Sequence, residues 1–322
     1  MTKAAIIGLA GTTLSTAEAD MLRACKPAGV ILFARNVDTP DQLSALTSSV
    51  RNLLGPDAIL MVDQEGGRVA RLRPPHWQAH PPAAELASPR AAWLTGALIG
   101  LDCAAAGFNV VCAPVLDLRV PGAHDVIGDR AFATDPATVA AHGRAMALGL
   151  LAAGIQPLMK HIPGHGRSTA DSHLELPRVD TSDLADDLLP FAENADLPWA
   201  MTAHILYPAW DSALPATLSK KIISQIIRGR IGFTGVLVSD DLAMHALSGT
   251  PAALAAAALA AGCDLVLHCT GNLEETMPLL QACPSLTDAA CARLAAARAQ
   301  SMRAVEKLDP ISLLSERAQL LA

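Results

Sequence analysis

The chain has 322 residues, 51% of them hydrophobic and 17% charged, with a formal net charge of −7 at pH 7. That composition demands a sizeable buried core and excludes a disordered chain. The acidic balance, without any Lys/Arg cluster, excludes a nucleic-acid or acidic-membrane partner. The start Met1–Gly8 has too short an apolar core for a signal peptide, and no later stretch offers roughly 18 uninterrupted apolar residues, so a soluble, cytoplasmic protein is expected. The seven cysteines are scattered, odd in number and without a C-x-x-C pair, which speaks against a disulfide framework or a cysteine-based zinc site.

Short apolar runs alternate with longer helical patterns along the whole chain. Ala4–Gly8, Val30–Phe33, Ile59–Val62, Val110–Ala113, Pro157–Met159, Ala200–Thr202, Val236–Val238 and Leu265–Leu267 read as strands, each apolar on both faces as a parallel sheet requires. Between them, Thr39-Pro40-Asp41-Gln42 supplies an N-cap, a proline at the first helical position and a capping-box partner. Asp135-Pro136 repeats the device before a helix near 137–152, and Ser219, Thr250-Pro251 and Thr287 open later ones. Strand–helix alternation with no linker or composition shift predicts a single α/β domain over 1–322, a (β/α)8 TIM-type barrel, with C-terminal helices from about 287 packing on it. A doubly wound open sheet is the alternative, since the two patterns differ only in whether the sheet closes.

Polar residues sit just past the strands: Asp63 after the third, Asp117 after the fourth, Lys160-His161 after the fifth, His204 after the sixth, Asp240-Asp241 after the seventh and His268 after the eighth. A parallel barrel gathers all these ends on one face, where barrel enzymes carry their chemistry. Of Asp240 and Asp241, one can cap a following helix while the other serves as nucleophile or base. Asp63-Gln64-Glu65-Gly66-Gly67-Arg68 is either a solvated turn or a site whose acid grips hydroxyls while an arginine binds a polar group. Arg130 can simply pair with Asp129.

The densest stretch runs from Lys160 to His173. Its histidines His161, His165 and His173 invite a metal, but Pro163, Gly164 and Gly166 forbid the helix that would bring the first two together, so no metal is expected. In Asp171-Ser172-His173 the aspartate can orient the imidazole and favour its charged form, which suits a proton shuttle. Lys160 has a rival reading as a Schiff-base lysine, opposed by the acids expected beside it.

Lys160-His161-Ile162-Pro163-Gly164-His165-Gly166 with Asp171-Ser172-His173, together with Ser239-Asp240-Asp241-Leu242, Asp63-Gln64-Glu65-Gly66-Gly67-Arg68 and Val126-Ile127-Gly128-Asp129-Arg130, resembles glycoside hydrolase family 3. More narrowly it is similar to the single-domain bacterial β-N-acetylglucosaminidases of peptidoglycan recycling. The resemblance runs from the first strand to about Leu267, and the last fifty or so residues carry no motif. It implies a retaining exo-hydrolase without a cofactor, acting on a small carbohydrate of the N-acetylglucosamine–anhydro-N-acetylmuramic acid type. It places the nucleophile on Asp240, the acid/base on His173 with Asp171 as its partner, and Asp241 in a supporting or capping role. Substrate-binding positions fall on Asp63, Arg71, Arg130, Lys160 and His161, with Asp117 and Met244 near the sugar.

Two positions depart from the family's pattern: Ile162 where an aromatic is common, and Arg167 where an acid is common. A monomer is expected, and the loop over 163–180, with its glycines and few apolar anchors, is expected to be mobile. Three other functions remain in play at this level: a phosphorylase of the same family, a Schiff-base lyase using Lys160, and a non-catalytic sugar-binding protein.

Overall fold

The computed structural model describes residues 1–321. The strands β1 (Lys3–Gly8), β2 (Pro27–Leu32), β3 (Ile59–Val62), β4 (Val110–Val111), β5 (Gln156–Ile162), β6 (Trp199–Thr202), β7 (Val236–Asp241) and β8 (Leu265–His268) close into a barrel in chain order. Every neighbouring pair is parallel, including the closing pair β1–β8. Alternation along each strand divides the core in two. Ile6, Ile31, Met61, Leu158, Val238 and Leu267 fill the barrel interior, while Ile7, Val30, Leu60, Met159, Leu237 and Val266 face the surrounding helices. Both sets are buried, which is why the strands read as continuous apolar runs rather than alternating ones.

The helices start where their caps lie. Thr39, Asp135, Thr250 and Thr287 accept amides in the first turns of α2 (Pro40–Leu54), α4 (Pro136–Ala152), α6 (Pro251–Ala261) and α8 (Asp288–Ala304). Ser219 Oγ accepts the Ile222 amide at 3.1 Å at the head of Ile222–Arg230, a segment wound wider than an α-helix. Helix α1 (Thr16–Cys25) carries a full capping box between Ser15 and Glu18. The tail adds α8 and α9 (Pro310–Leu321): Arg293 of α8 pairs with Asp264, and Leu313 of α9 packs against Leu94, Ala97 and Leu98 of α3 (Pro89–Ala105). Among the described residues no helix is long and apolar enough to cross a membrane.

Strands β5 and β7 run well beyond the ends of their apolar runs. Strand β5 continues through Lys160 and His161 to Ile162, and β7 continues through Asp240 to Asp241. These polar side chains therefore sit on the last rungs of the barrel rather than on the loops beyond, and their polarity, set by the barrel mouth they face, hides the strand in the sequence.

Candidate active site

The strand ends surround an open cleft with a cavity volume of about 170 Å³. Its apolar walls include Phe33, Val69, Ile127 and Met244, and its polar floor comes from β3, β5 and β7.

One side of the floor is a charge network. Lys160 Nζ lies 2.8 Å from Asp63 Oδ1 and 2.6 Å from Glu65 Oε1. Arg130 grips Glu65 with two donors, Nε at 2.8 Å and Nη2 at 2.9 Å, and Arg71 Nη2 reaches Asp63 Oδ2 at 3.2 Å. Arg130 thus pairs across the cleft with Glu65, not with its neighbour Asp129, which is taken by Arg68 at 2.8 Å. The turn after Glu65 needs both glycines: Gly66 and Gly67 have φ of +100° and +54°, and a Cβ on Gly66 would lie 2.3 Å from the Pro81 carbonyl.

Burial alone would raise both carboxyls. Lys160 with Arg71 reverses this at Asp63, and Arg130 with Lys160 holds Glu65 down to about 2. Lys160 is itself desolvated, yet the two carboxylates keep its amine well above the ordinary lysine range. That is the opposite of what a Schiff-base nucleophile requires.

Removing the cation should be costly, because two buried carboxylates would then face each other. Lys160→Met is expected to lose about 3–5 kcal/mol of stability in urea titrations at pH 7. Depressed carboxyl pKa values contribute stability above their unfolded values, lost as pH falls through the folded ones. In the variant the carboxyls titrate higher and escape repulsion by taking up protons, so its deficit should narrow between pH 7 and pH ~3.

On the opposite side stands Asp240. Its neighbours in β7 are committed to backbone amides: Ser239 Oγ accepts the Leu267 amide at 3.0 Å, and Asp241, which also borders the cleft, accepts the Ala243 and Cys269 amides on Oδ1, each at 3.0 Å. Asp241 thus ties β7 to β8 and caps no helix, since α6 begins at Pro251 under its own Thr250 cap. Asp240 lines the cleft with fewer commitments, its Oδ1 accepting one amide, that of Asp241, at 2.8 Å. Burial pushes its carboxyl up, but His161 and His204 outweigh that and hold it below the usual range, so it is ionised at neutral pH.

Asp117 is the one predicted substrate contact that does not reach the cleft. Fully buried, it accepts Nδ1 of His161 at 2.7 Å and the amide of His165 at 2.6 Å, so it fixes the His161 ring and leaves Nε2 for the cleft. His204 is likewise buried behind the floor, bonded to Thr217 at 2.7 Å and to the Asp241 carbonyl at 3.0 Å.

The remaining wall is the loop after β5. His173 Nδ1 lies 2.7 Å from Asp171 Oδ1, and the same oxygen accepts the His173 amide at 2.9 Å. Burial raises the Asp171 carboxyl, but the amide and imidazole of His173 prevail and keep it below its ordinary value. The His173 ring is 64% exposed and lines the same cleft as Asp240. Arg167, by contrast, turns away to bond Asp187 at 2.6 Å, and Ile162 is wholly buried.

Sequence reasoning singled out Asp63 but passed over Glu65, which is equally central to the network. Its signal was an acid directly before a glycine pair. Among the described residues no group of three His, Cys, Asp or Glu side chains is placed to hold a metal ion; His161 and His165 meet edge to face, ring centroids 5.5 Å apart.

Comparison with known proteins agrees in sequence and in shape. The model of the glycosyl hydrolase family 3 N-terminal domain matches residues 3–305. A β-hexosaminidase of Bordetella avium is 42% identical over 82% of this chain and 79% of its own length, and one of Methylococcus capsulatus is 43% identical over 87% and 86%. The crystal structure of NagZ from Neisseria gonorrhoeae in complex with N-trifluoroacetyl-D-glucosamine superposes with a TM-score of 0.88 at 30% identity, covering 100% of this chain and 98% of that one.

Proposed function

Since the chain belongs to glycosyl hydrolase family 3, we propose that it is a retaining exo-β-N-acetylglucosaminidase that removes a non-reducing terminal N-acetylglucosamine from peptidoglycan fragments. Its relatives are β-hexosaminidases along most of their length, and one solved neighbour holds an N-acylated glucosamine. The observation that carries the mechanism is that Asp240, held ionised, and His173, bonded to Asp171, line one cleft.

Asp240 attacks the anomeric carbon as the bond to the leaving oxygen breaks, and His173 Nε2 gives that oxygen its proton. Water then attacks the glycosyl–aspartate ester, yielding its proton to His173 as the bond to Asp240 breaks, and the sugar leaves with net retention. Ion-paired Asp63, Lys160, Arg71 and Arg130, with His161, bind sugar hydroxyls and the N-acetyl group, and Met244 packs on the ring. Asp117 contributes by orienting His161. The whole chain acts as one catalytic unit in this reading.

Incubation with a chromogenic N-acetyl-β-glucosaminide, followed by NMR of the first-formed anomer, is expected to give the β-anomer of free N-acetylglucosamine. An α-anomer would overturn the double-displacement scheme. An imidazole acid/base, unlike a carboxylate, does not repel phosphate, so the same assay belongs in phosphate buffer too; release of sugar 1-phosphate in place of free sugar would make the enzyme a phosphorylase.

A further inference from the structure

In Asp171-Ser172-His173 the outer residues carry the proposed proton transfer, and the middle one is buried: Ser172 is 2% exposed, beside a His173 ring that is 64% exposed. Its partners lie on two different parts of the barrel. Ser172 Oγ is 3.1 Å from Nε2 of His165, just past β5, and its carbonyl accepts the Ala246 amide, just past β7, at 3.2 Å. The Ser168 carbonyl accepts the His124 amide, and the Pro177 carbonyl accepts the Leu206 amide. Between those two points, the bonds that tie the loop to the rest of the barrel among the described residues are these two of Ser172. The side chains of Asp171 and His173 bond only each other, the Asp171 carbonyl accepts the Leu174 and Glu175 amides within the loop itself, and Leu174 is 71% exposed and anchors nothing.

His165 is built to be the fixed half of this contact. It is 2% exposed, its amide is held by Asp117 at 2.6 Å, and its other ring nitrogen, Nδ1, is buried with no partner. Burial and the neighbouring His161 hold the ring down to about 4, so it stays neutral at ordinary pH. A neutral imidazole has one N–H and one lone pair, and here one of the two already goes unsatisfied. Without the Ser172 hydroxyl the buried ring would have no polar partner, which makes this hydrogen bond expensive to lose.

We propose that Ser172 and His165 are positioning residues, a latch that fixes the height and direction of the Asp171–His173 pair over the cleft; this rests on reading His173 as the acid/base. Aspartate and histidine two residues apart form their own bond wherever the loop goes. What the latch adds is the place of that pair relative to Asp240, and a group that must meet a leaving oxygen within hydrogen-bond reach is sensitive to about 1 Å of displacement.

The test compares kcat/KM for phenyl and 2,4-dinitrophenyl N-acetyl-β-glucosaminides, since the first needs proton donation to its leaving oxygen and the second does not. Ser172→Ala is expected to lose roughly tenfold or more on the phenyl glycoside and less than about threefold on the dinitrophenyl one. His165→Gln should show the same selective loss, and the double variant little more, because both remove one contact. Equal losses on the two substrates, or none, in Ser172→Ala and His165→Gln would overturn the latch. His173→Ala serves as reference: if it discriminates and the latch variants do not, the latch alone fails. If His173→Ala itself loses equally on both substrates, the acid/base reading fails and takes the latch with it.

Discussion

Replacing Asp240 with alanine is expected to lower kcat/KM for a chromogenic N-acetyl-β-glucosaminide by at least about 10³-fold, with folding intact by circular dichroism. The size follows from what is removed: the atom that forms the bond to the anomeric carbon. Stability should change little, because Asp240 Oδ1 accepts a single amide, that of its neighbour Asp241. Asp241→Asn makes the control. The asparagine keeps an oxygen for the Ala243 and Cys269 amides, so a modest loss is expected, within about tenfold. If Asp241→Asn were the inactive variant and Asp240→Ala active, the nucleophile would have to be reassigned. The carboxylate must also be ionised to attack, and His161 with His204 keeps it so against its burial. Asp240 therefore should not limit activity on the acid side until pH falls below the ordinary carboxylate range.

How far the sequence alone reaches depends on whether a residue's role is local. The barrel was legible because strands buried on both faces must be apolar throughout, and because Thr39, Asp135, Thr250 and Thr287 cap helices with bonds only three residues long. The Asp171–His173 contact was legible for the same reason, spanning two residues. Long-range pairs were not. Nothing in Val126–Arg130 says that Arg130 reaches Glu65, 65 residues away, in place of adjacent Asp129. Nor does a strand-end aspartate reveal which way it faces: Asp117 looks like a sugar contact and lies beneath His161, while Asp240 and Asp241, identical in type, divide into a free carboxylate and a tie between strands. Burial and partner choice are properties of the closed barrel, and only closure decides them.

His173→Ala is expected to lower kcat/KM by about 10²–10⁴-fold on a phenyl glycoside while leaving a dinitrophenyl glycoside far less affected. In the first step the imidazole supplies a proton to the departing oxygen, and its absence matters in proportion to that oxygen's basicity. The second step differs, since every substrate yields the same glycosyl–aspartate, and the variant lacks the group that deprotonates water. On the dinitrophenyl substrate the ester should therefore accumulate: a burst of dinitrophenol, then a slow steady state, with kcat reduced far more than kcat/KM. Azide, a nucleophile that needs no base, should restore turnover and trap the sugar as the β-azide. Asp171→Ala should show the same pattern more weakly, because it removes the acceptor of the Nδ1 bond at 2.7 Å but keeps the imidazole. Loss of the same factor on both glycosides, with no burst and no azide product, would mean that His173 binds substrate and moves no proton, and the acid/base would have to be sought among the other groups lining the cleft.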